Sequence, residues 1–261
     1  MPDSEPHATQ QTSSTTPHLM QVLVVTLIAG IVLSFTYRAG KRSAGADLWE
    51  ALRYYSETVS DFGGLNRYKA ADLILQPPGE NRVVFLGDSR TDFWSLPQYF
   101  PGKSYINRGI SGQTTSQMLV RFRQDVLDLH PGSVVILGGA NDIMGRTGPM
   151  TSDQIEANLE SMAELSHAHG IHVVLCSLLP VGEAMWTPSD KTKIVLVNAK
   201  LRGYAAQHGY PFVNFYGAMK DPGNNLPGAL SKDGIHPLPS GYAVMARLVD
   251  AALNGNTRKT K

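Results

Sequence analysis

From residue 82 onward, short apolar runs alternate with helical stretches, and this limits the fold more than anything else in the chain. Residues 83–86, 104–107, 133–137, 172–178 and 211–215 read as strands. Residues 114–129, 152–169, 189–208 and 240–253 carry helical periodicity, and Gly170 and Gly209 stop two of those helices. Strands that are continuously apolar, rather than alternating apolar and polar, need cover on both faces. Helices of 10 to 20 residues between them supply that cover, so the pattern predicts a parallel sheet between two helical layers.

Five such strands imply a flavodoxin-like three-layer α/β/α fold. Sheets of this kind bind ligands beyond the carboxyl ends of their strands. Four polar segments stand there. Gly87-Asp88-Ser89-Arg90 follows the first strand and Asn107 to Thr114 the second. Gly138-Gly139-Ala140-Asn141-Asp142 follows the third, and Asp233-Gly234-Ile235-His236-Pro237 precedes the last helix. Each alone is an ordinary turn, loop or cap. On one rim they supply the parts of a serine esterase site. Ser89 is the candidate nucleophile, His236 the general base and Asp233 the group that orients the imidazole. The Ser89 and Gly112 backbone N–H groups and the Asn141 side-chain amide are the candidate oxyanion donors. Gly109 competes with Gly112 for that place.

The four blocks resemble the SGNH (GDSL-type) hydrolase family. They are Gly-Asp-Ser at 87–89, Ile-Ser-Gly at 110–112, Gly-x-Asn-Asp at 139–142 and Asp-x-x-His at 233–236, and the resemblance covers about 82–253. It implies a flavodoxin-like hydrolase of esters or thioesters that uses neither a metal nor an organic cofactor. It assigns Ser89, Asp233 and His236 to a triad, and Ser89, Gly112 and Asn141 to an oxyanion hole. Two positions depart from the family pattern. Arg90 stands where an aliphatic residue is usual, and Gln113 where an acid is common. Arg90 is read as a surface residue, with attraction of an anionic substrate as the rival. Asp88 and Asp142 are read as loop braces, with Asp142 as a substitute triad acid the rival. The loop 181–188 carries Met185 and Trp186, either lining an acyl pocket or packing on itself.

The amino-terminal part reads differently. Residues 1–18 are polar and form a predicted disordered tail. Residues 19–37 hold no charge over nineteen positions, which as a helix reach roughly 28 Å, close to the hydrocarbon thickness of a bilayer. They predict a single transmembrane anchor. A cleaved signal peptide is the rival, but Asp3 and Glu5 precede the run where that reading needs positive charge. Arg38, Lys41 and Arg42 follow the run and favour a cytoplasmic body by charge counting, whereas the family resemblance allows an extracytoplasmic one. Residues 38–81 form a predicted helical spacer, with an apolar stripe at Leu48, Leu52, Tyr55, Val59 and Phe62, a break at Gly63-Gly64 and a second short helix over 65–75. A lid or wall packed on the body is the sharper alternative. The hydrolase domain spans 82–254 and a flexible tail 255–261.

Composition removes other classes. Lys+Arg is 23 and Asp+Glu is 22, so no basic excess points to nucleic acid. Cys176 is the one cysteine, which excludes an internal disulfide and a multi-thiolate zinc site. His167, His169 and His172 do not make a metal site, because helical neighbours two apart diverge. The expected activity is hydrolysis of a small-molecule, lipid or acylated-glycan ester. Acyl transfer to a glycan or lipid acceptor, or non-catalytic binding of such a ligand, are the alternatives.

Overall fold

The computed structural model describes residues 59–79, 81–183 and 186–256, with isolated positions before 59. The predicted tail 1–18, the anchor 19–37 apart from Thr26, Met185 and residues 257–261 lie outside the described residues. Among the described residues no helix is long and apolar enough to cross a membrane. The chain divides into two units at Ser60/Asp61. The described positions of the first unit are helical; all that follows concerns the second.

Five strands form one parallel sheet: β1 (Val83–Gly87), β2 (Tyr105–Gly109), β3 (Ser133–Leu137), β4 (His172–Cys176) and β5 (Phe212–Val213), in spatial order β2-β1-β3-β4-β5. This order is that of a flavodoxin-like doubly wound sheet. Residues alternate between two cores. Val84 and Leu86 of β1, with Val134 and Ile136 of β3, meet α4 (Thr115–Val120), α5 (Phe122–Asp125), α7 (Ser152–Ala168) and α8 (Pro188–His208) through Met118, Phe122, Ile155, Leu159, Val197 and Leu201. Phe85, Val135 and Leu137 face the other way. They share a core with α3 (Leu96–Tyr99), α9 (Phe215–Met219) and α10 (Pro239–Asn256) through Leu96, Phe215 and Met245. Sheet pairing aligns Gly87 with both Gly109 and Leu137, so three strands end on one rim.

Local chemistry sets the long helices. Thr151 with Gln154, and Thr187 with Asp190, close capping boxes at the starts of α7 and α8. Gly209 ends α8 in the left-handed conformation.

Three expectations are corrected. The predicted helix 114–129 is split into α4, α5 and a 3-10 turn at Leu127–Leu129. Its break at Arg121 serves tertiary bonding: the guanidinium is buried and donates to Gln113 Oε1 (2.6 Å), Arg108 O (2.8 Å), Asp125 Oδ2 (2.8 Å) and Gly87 O (3.0 Å). The fifth strand ends at Val213, because Asn214 caps α9 by accepting from the Gly217 N–H. The second amino-terminal helix is a single turn, α1 (Lys69–Asp72), with Leu73 and Ile74 exposed and no apolar face to bury.

Residues 61–75 lie against the body on the β2 side. The Gln113 and Gln117 amides donate to Gly63 O and Phe62 O, each at 2.9 Å, and Gln124 donates to Leu65 O at 2.9 Å. Tyr68 donates its hydroxyl to Gly109 O, and Asp72 pairs with the buried Arg108 guanidinium.

Candidate active site

Ser89 opens α2 (Ser89–Asp92), directly beyond β1. Asp88 is the cap, and its carboxylate accepts from the Arg90 N–H at 2.9 Å. The Ser89 N–H therefore sits at the first helical position, where no intrahelical acceptor exists. Asn107 of β2 steadies this turn, donating to Thr91 O at 2.6 Å and to Trp94 O at 3.0 Å. Gly109 lets β2 approach it, since a Cβ there would fall 2.0 Å from the Asp92 nitrogen.

His236 arrives 147 residues later. Its Nε2 lies 3.0 Å from Ser89 Oγ, and its Nδ1 lies 2.6 Å from Asp233 Oδ2. The other carboxylate oxygen, Asp233 Oδ1, accepts the His236 N–H (2.8 Å), the Ile235 N–H (2.9 Å) and the Ser231 hydroxyl (3.0 Å). Partial desolvation pulls the Asp233 pKa upward, but the bonds from His236, Ile235 and Ser231 outweigh it and hold the group well below the usual carboxylate range. Gly182 donates to Gly234 O at 2.8 Å and fixes this loop to the segment after β4.

Asn141 meets the loop that carries Gly112. Asn141 lies in α6 (Ala140–Ile143), buried, with its amide donating to Gln113 O at 2.9 Å. That bond uses one of two amide hydrogens. Gly112 sits in the same loop as Gln113 at φ +81°, a conformation suited to glycine. The competitor Gly109 has its N–H committed to Asn107 Oδ1 at 2.8 Å. Asp142 is a brace: its carboxylate accepts the Thr115 N–H at 3.0 Å and the Thr115 hydroxyl at 2.5 Å. Burial raises the Asp142 pKa against those bonds.

Arg90 corrects the sequence reading. It is 2% exposed, not on the surface. Its Nε donates to Ile235 O at 3.2 Å, and its Nη1 lies 3.7 Å from Asp88 Oδ2. Arg90 thus clamps the loop bearing His236 to the turn bearing Ser89, which a short aliphatic side chain could not do. Burial raises the Asp88 pKa, and the Arg90 charge opposes that shift. Trp186 is buried in the core rather than packed on the outside of its loop. Sequence reasoning also missed Phe93, the C-cap of α2, whose ring centroid lies 5.2 Å from that of His236. Its place one turn after Ser89 was the available signal.

Among the described residues no cluster of His, Cys, Asp and Glu has metal-binding geometry. The arrangement is a hydroxyl, an imidazole and a carboxylate in series beside backbone and amide donors, suited to acyl transfer through a covalent serine intermediate.

Known proteins carry the same body. The chain is 40% identical to a GDSL-like lipase of Bacteroides thetaiotaomicron VPI-5482 of known crystal structure, with a TM-score of 0.71 over 75% of this chain and 99% of that one. It is 33% identical over 124 residues to an uncharacterized lipoprotein of Bacillus subtilis (strain 168), covering 40% of this chain and about half (51%) of that protein's length. It is 23% identical over 210 residues to an acetylxylan esterase of Geobacillus stearothermophilus, covering 76% of this chain and 91% of the relative. The profile of the GDSL-like Lipase/Acylhydrolase family matches residues 85–244, more than half of the chain and every candidate site residue. The chain therefore belongs to the GDSL-like lipase/acylhydrolase family of ester-hydrolysing enzymes.

Proposed function

We propose that the protein is a serine esterase that cleaves carboxylic esters through an acyl-enzyme on Ser89. The observation that carries this reading is the unbroken series from Asp233 through His236 to Ser89, at 2.6 and 3.0 Å. His236 Nε2 takes the Ser89 proton as Oγ bonds to the carbonyl carbon. The tetrahedral oxyanion is held by the Ser89 and Gly112 N–H groups and by the second amide hydrogen of Asn141. Collapse breaks the bond to the alcohol, which leaves with the proton from His236. A water molecule, deprotonated by the same imidazole, then releases the acid and regenerates Ser89. Asp233, held ionised by its hydrogen bonds, keeps the imidazole proton on Nδ1 and stabilises the imidazolium.

The chargeless run 19–37 is proposed to tether this body to a membrane. That part of the reading rests on the sequence alone.

The direct experiment incubates the full chain, in detergent, with p-nitrophenyl esters from acetyl to palmitoyl. Turnover, together with covalent labelling by a serine-directed phosphonate, supports the reading. No turnover and no labelling overturn it in favour of a non-catalytic binding protein. Asn141→Ala is expected to lower kcat by about 10²–10³ with little change in KM, because its amide acts on the transition state. A near-normal kcat removes Asn141 from the oxyanion hole.

A further inference from the structure

Residues 110–113 close a turn. The Gln113 N–H donates to Ile110 O at 3.3 Å, and Gly112 stands at the third position with φ +81°. Two of the proposed oxyanion donors depend on this turn. Gly112 lies within it, and the Asn141 amide is held by Gln113 O at 2.9 Å. Whatever fixes Gln113 therefore fixes the direction in which both donors point.

The Gln113 side chain is buried and held at both of its polar atoms. Arg121 Nε donates to Oε1 at 2.6 Å, and Nε2 donates to Gly63 O at 2.9 Å. These partners set the orientation of the amide, since a guanidinium only donates and a carbonyl only accepts. An ionised acid, common at this position in the family, could accept from Arg121 but has no hydrogen for Gly63 O. The amide is thus matched to the amino-terminal segment.

That segment is built for the same contact. A Cβ at Gly64, whose φ is +66°, would fall 2.9 Å from Gln113 Nε2, and a Cβ at Gly63 would fall 2.7 Å from Val120 Cγ1. The glycine pair admits the close approach that larger residues would block. The Asp61 carboxylate fixes the turn around the pair, accepting the Leu65 N–H at 2.8 Å and the Asn66 N–H at 2.9 Å.

We propose that Gln113 is a positioning residue for the oxyanion hole and that the turn 61–66 completes the site through it. This rests on the esterase reading above and names what holds two of its oxyanion donors. Donors aimed at the tetrahedral oxyanion act on the transition state, so misaligning them lowers kcat and spares KM.

The test uses the full chain with p-nitrophenyl acetate as substrate and phenylboronic acid as a mimic of the tetrahedral intermediate. Gln113→Glu keeps the length of the side chain and an acceptor for Arg121. It is expected to lower kcat about 10- to 100-fold, the cost of misplaced groups, with KM within about twofold of wild type. Boronate affinity should fall in step with kcat, because the adduct on Ser89 would use the same donors. Gly64→Ala adds no charge and leaves Gln113 and Arg121 in place, displacing only the segment. It should lower kcat and boronate affinity together, again sparing KM, and it carries the test if Gln113→Glu does not fold. Both variants are assayed below their own melting transitions. Wild-type kcat in either folded variant overturns the proposal and leaves the esterase reading standing. Losses confined to KM, with boronate affinity unchanged, overturn it and make Gln113 a packing residue. Wild type inert to the ester, the phosphonate and the boronate overturns the esterase reading, and the proposal falls with it.

Discussion

Ser89→Ala is expected to lower kcat by about 10⁶ and to abolish phosphonate labelling while the protein stays folded. The reason is geometric. Ser89 Oγ is the atom that His236 Nε2 faces at 3.0 Å, and among the described residues no other hydroxyl bonds to that nitrogen. Removing it deletes the covalent route, leaving the oxyanion donors and substrate binding to provide whatever rate remains. Folding should be indifferent, because alanine is a good helix former and α2 is capped by Asp88, not by Ser89. The measurement is single-turnover hydrolysis beside thermal unfolding of both proteins. A loss smaller than about tenfold with an unchanged Tm would assign the nucleophile elsewhere and dismantle the mechanism.

The second large effect is on stability. Arg121→Ala is expected to cost about 3–5 kcal/mol, because removing one member of a buried ion pair leaves the other charge uncompensated. In a unit spanning Asp61–Lys261, that corresponds to a fall in Tm of roughly 6–20 °C. Burial works against the charge on Arg121 and against that on Asp125, so neither is favourable there alone. The guanidinium also ties together the ends of β1 and β2 through Gly87 O and Arg108 O, and the oxyanion loop through Gln113 Oε1. Activity below the melting transition should therefore fall too. The double variant Arg121→Met with Asp125→Leu separates these effects. Removing both charges should recover much of the Tm, whereas the loop, still missing its donor, should keep the activity low. A Tm change under about 2 °C in the single variant would mean that the pair stabilises nothing.

The sheet was legible in the sequence because a buried parallel strand leaves a local trace: four or five consecutive apolar residues, then a glycine or a polar turn. β1 and β3 show it, and their order follows from the helices between them. The residues of the proposed triad were legible for a related reason. Asp233 and His236 are three apart, a spacing that lets one carboxylate serve both a ring nitrogen and a backbone N–H. What stayed hidden depends on partners remote in the chain. Arg90 reads as a surface charge until Ile235, 145 residues away, supplies a carbonyl to its guanidinium. The helix 114–129 reads as continuous until Arg121 turns inward to the ends of two strands and to the loop at Gln113. Phe93 has only its place one turn after Ser89 as a local mark, and its contact with the ring of His236 is a tertiary one. Burial of a charge and exposure of a ring are both tertiary outcomes, and neither has a period.

The bonds that hold residues 61–75 to the body also bear on where the molecule can be cut. A recombinant fragment starting at residue 82 would contain the whole sheet and every proposed catalytic group. It would nonetheless strip the Arg108 guanidinium of Asp72, Gln113 and Gln117 of their carbonyl partners, and Gly109 of the Tyr68 hydroxyl. Each buried polar group left without a partner costs about 1–3 kcal/mol, and several fail together, all beside the loop that carries Gly112. A fragment starting at residue 61 keeps them. Thermal unfolding of the two fragments should put the shorter one well below the longer. Equal melting points would show that the segment is dispensable, and a crystallisable core could then begin at the first strand.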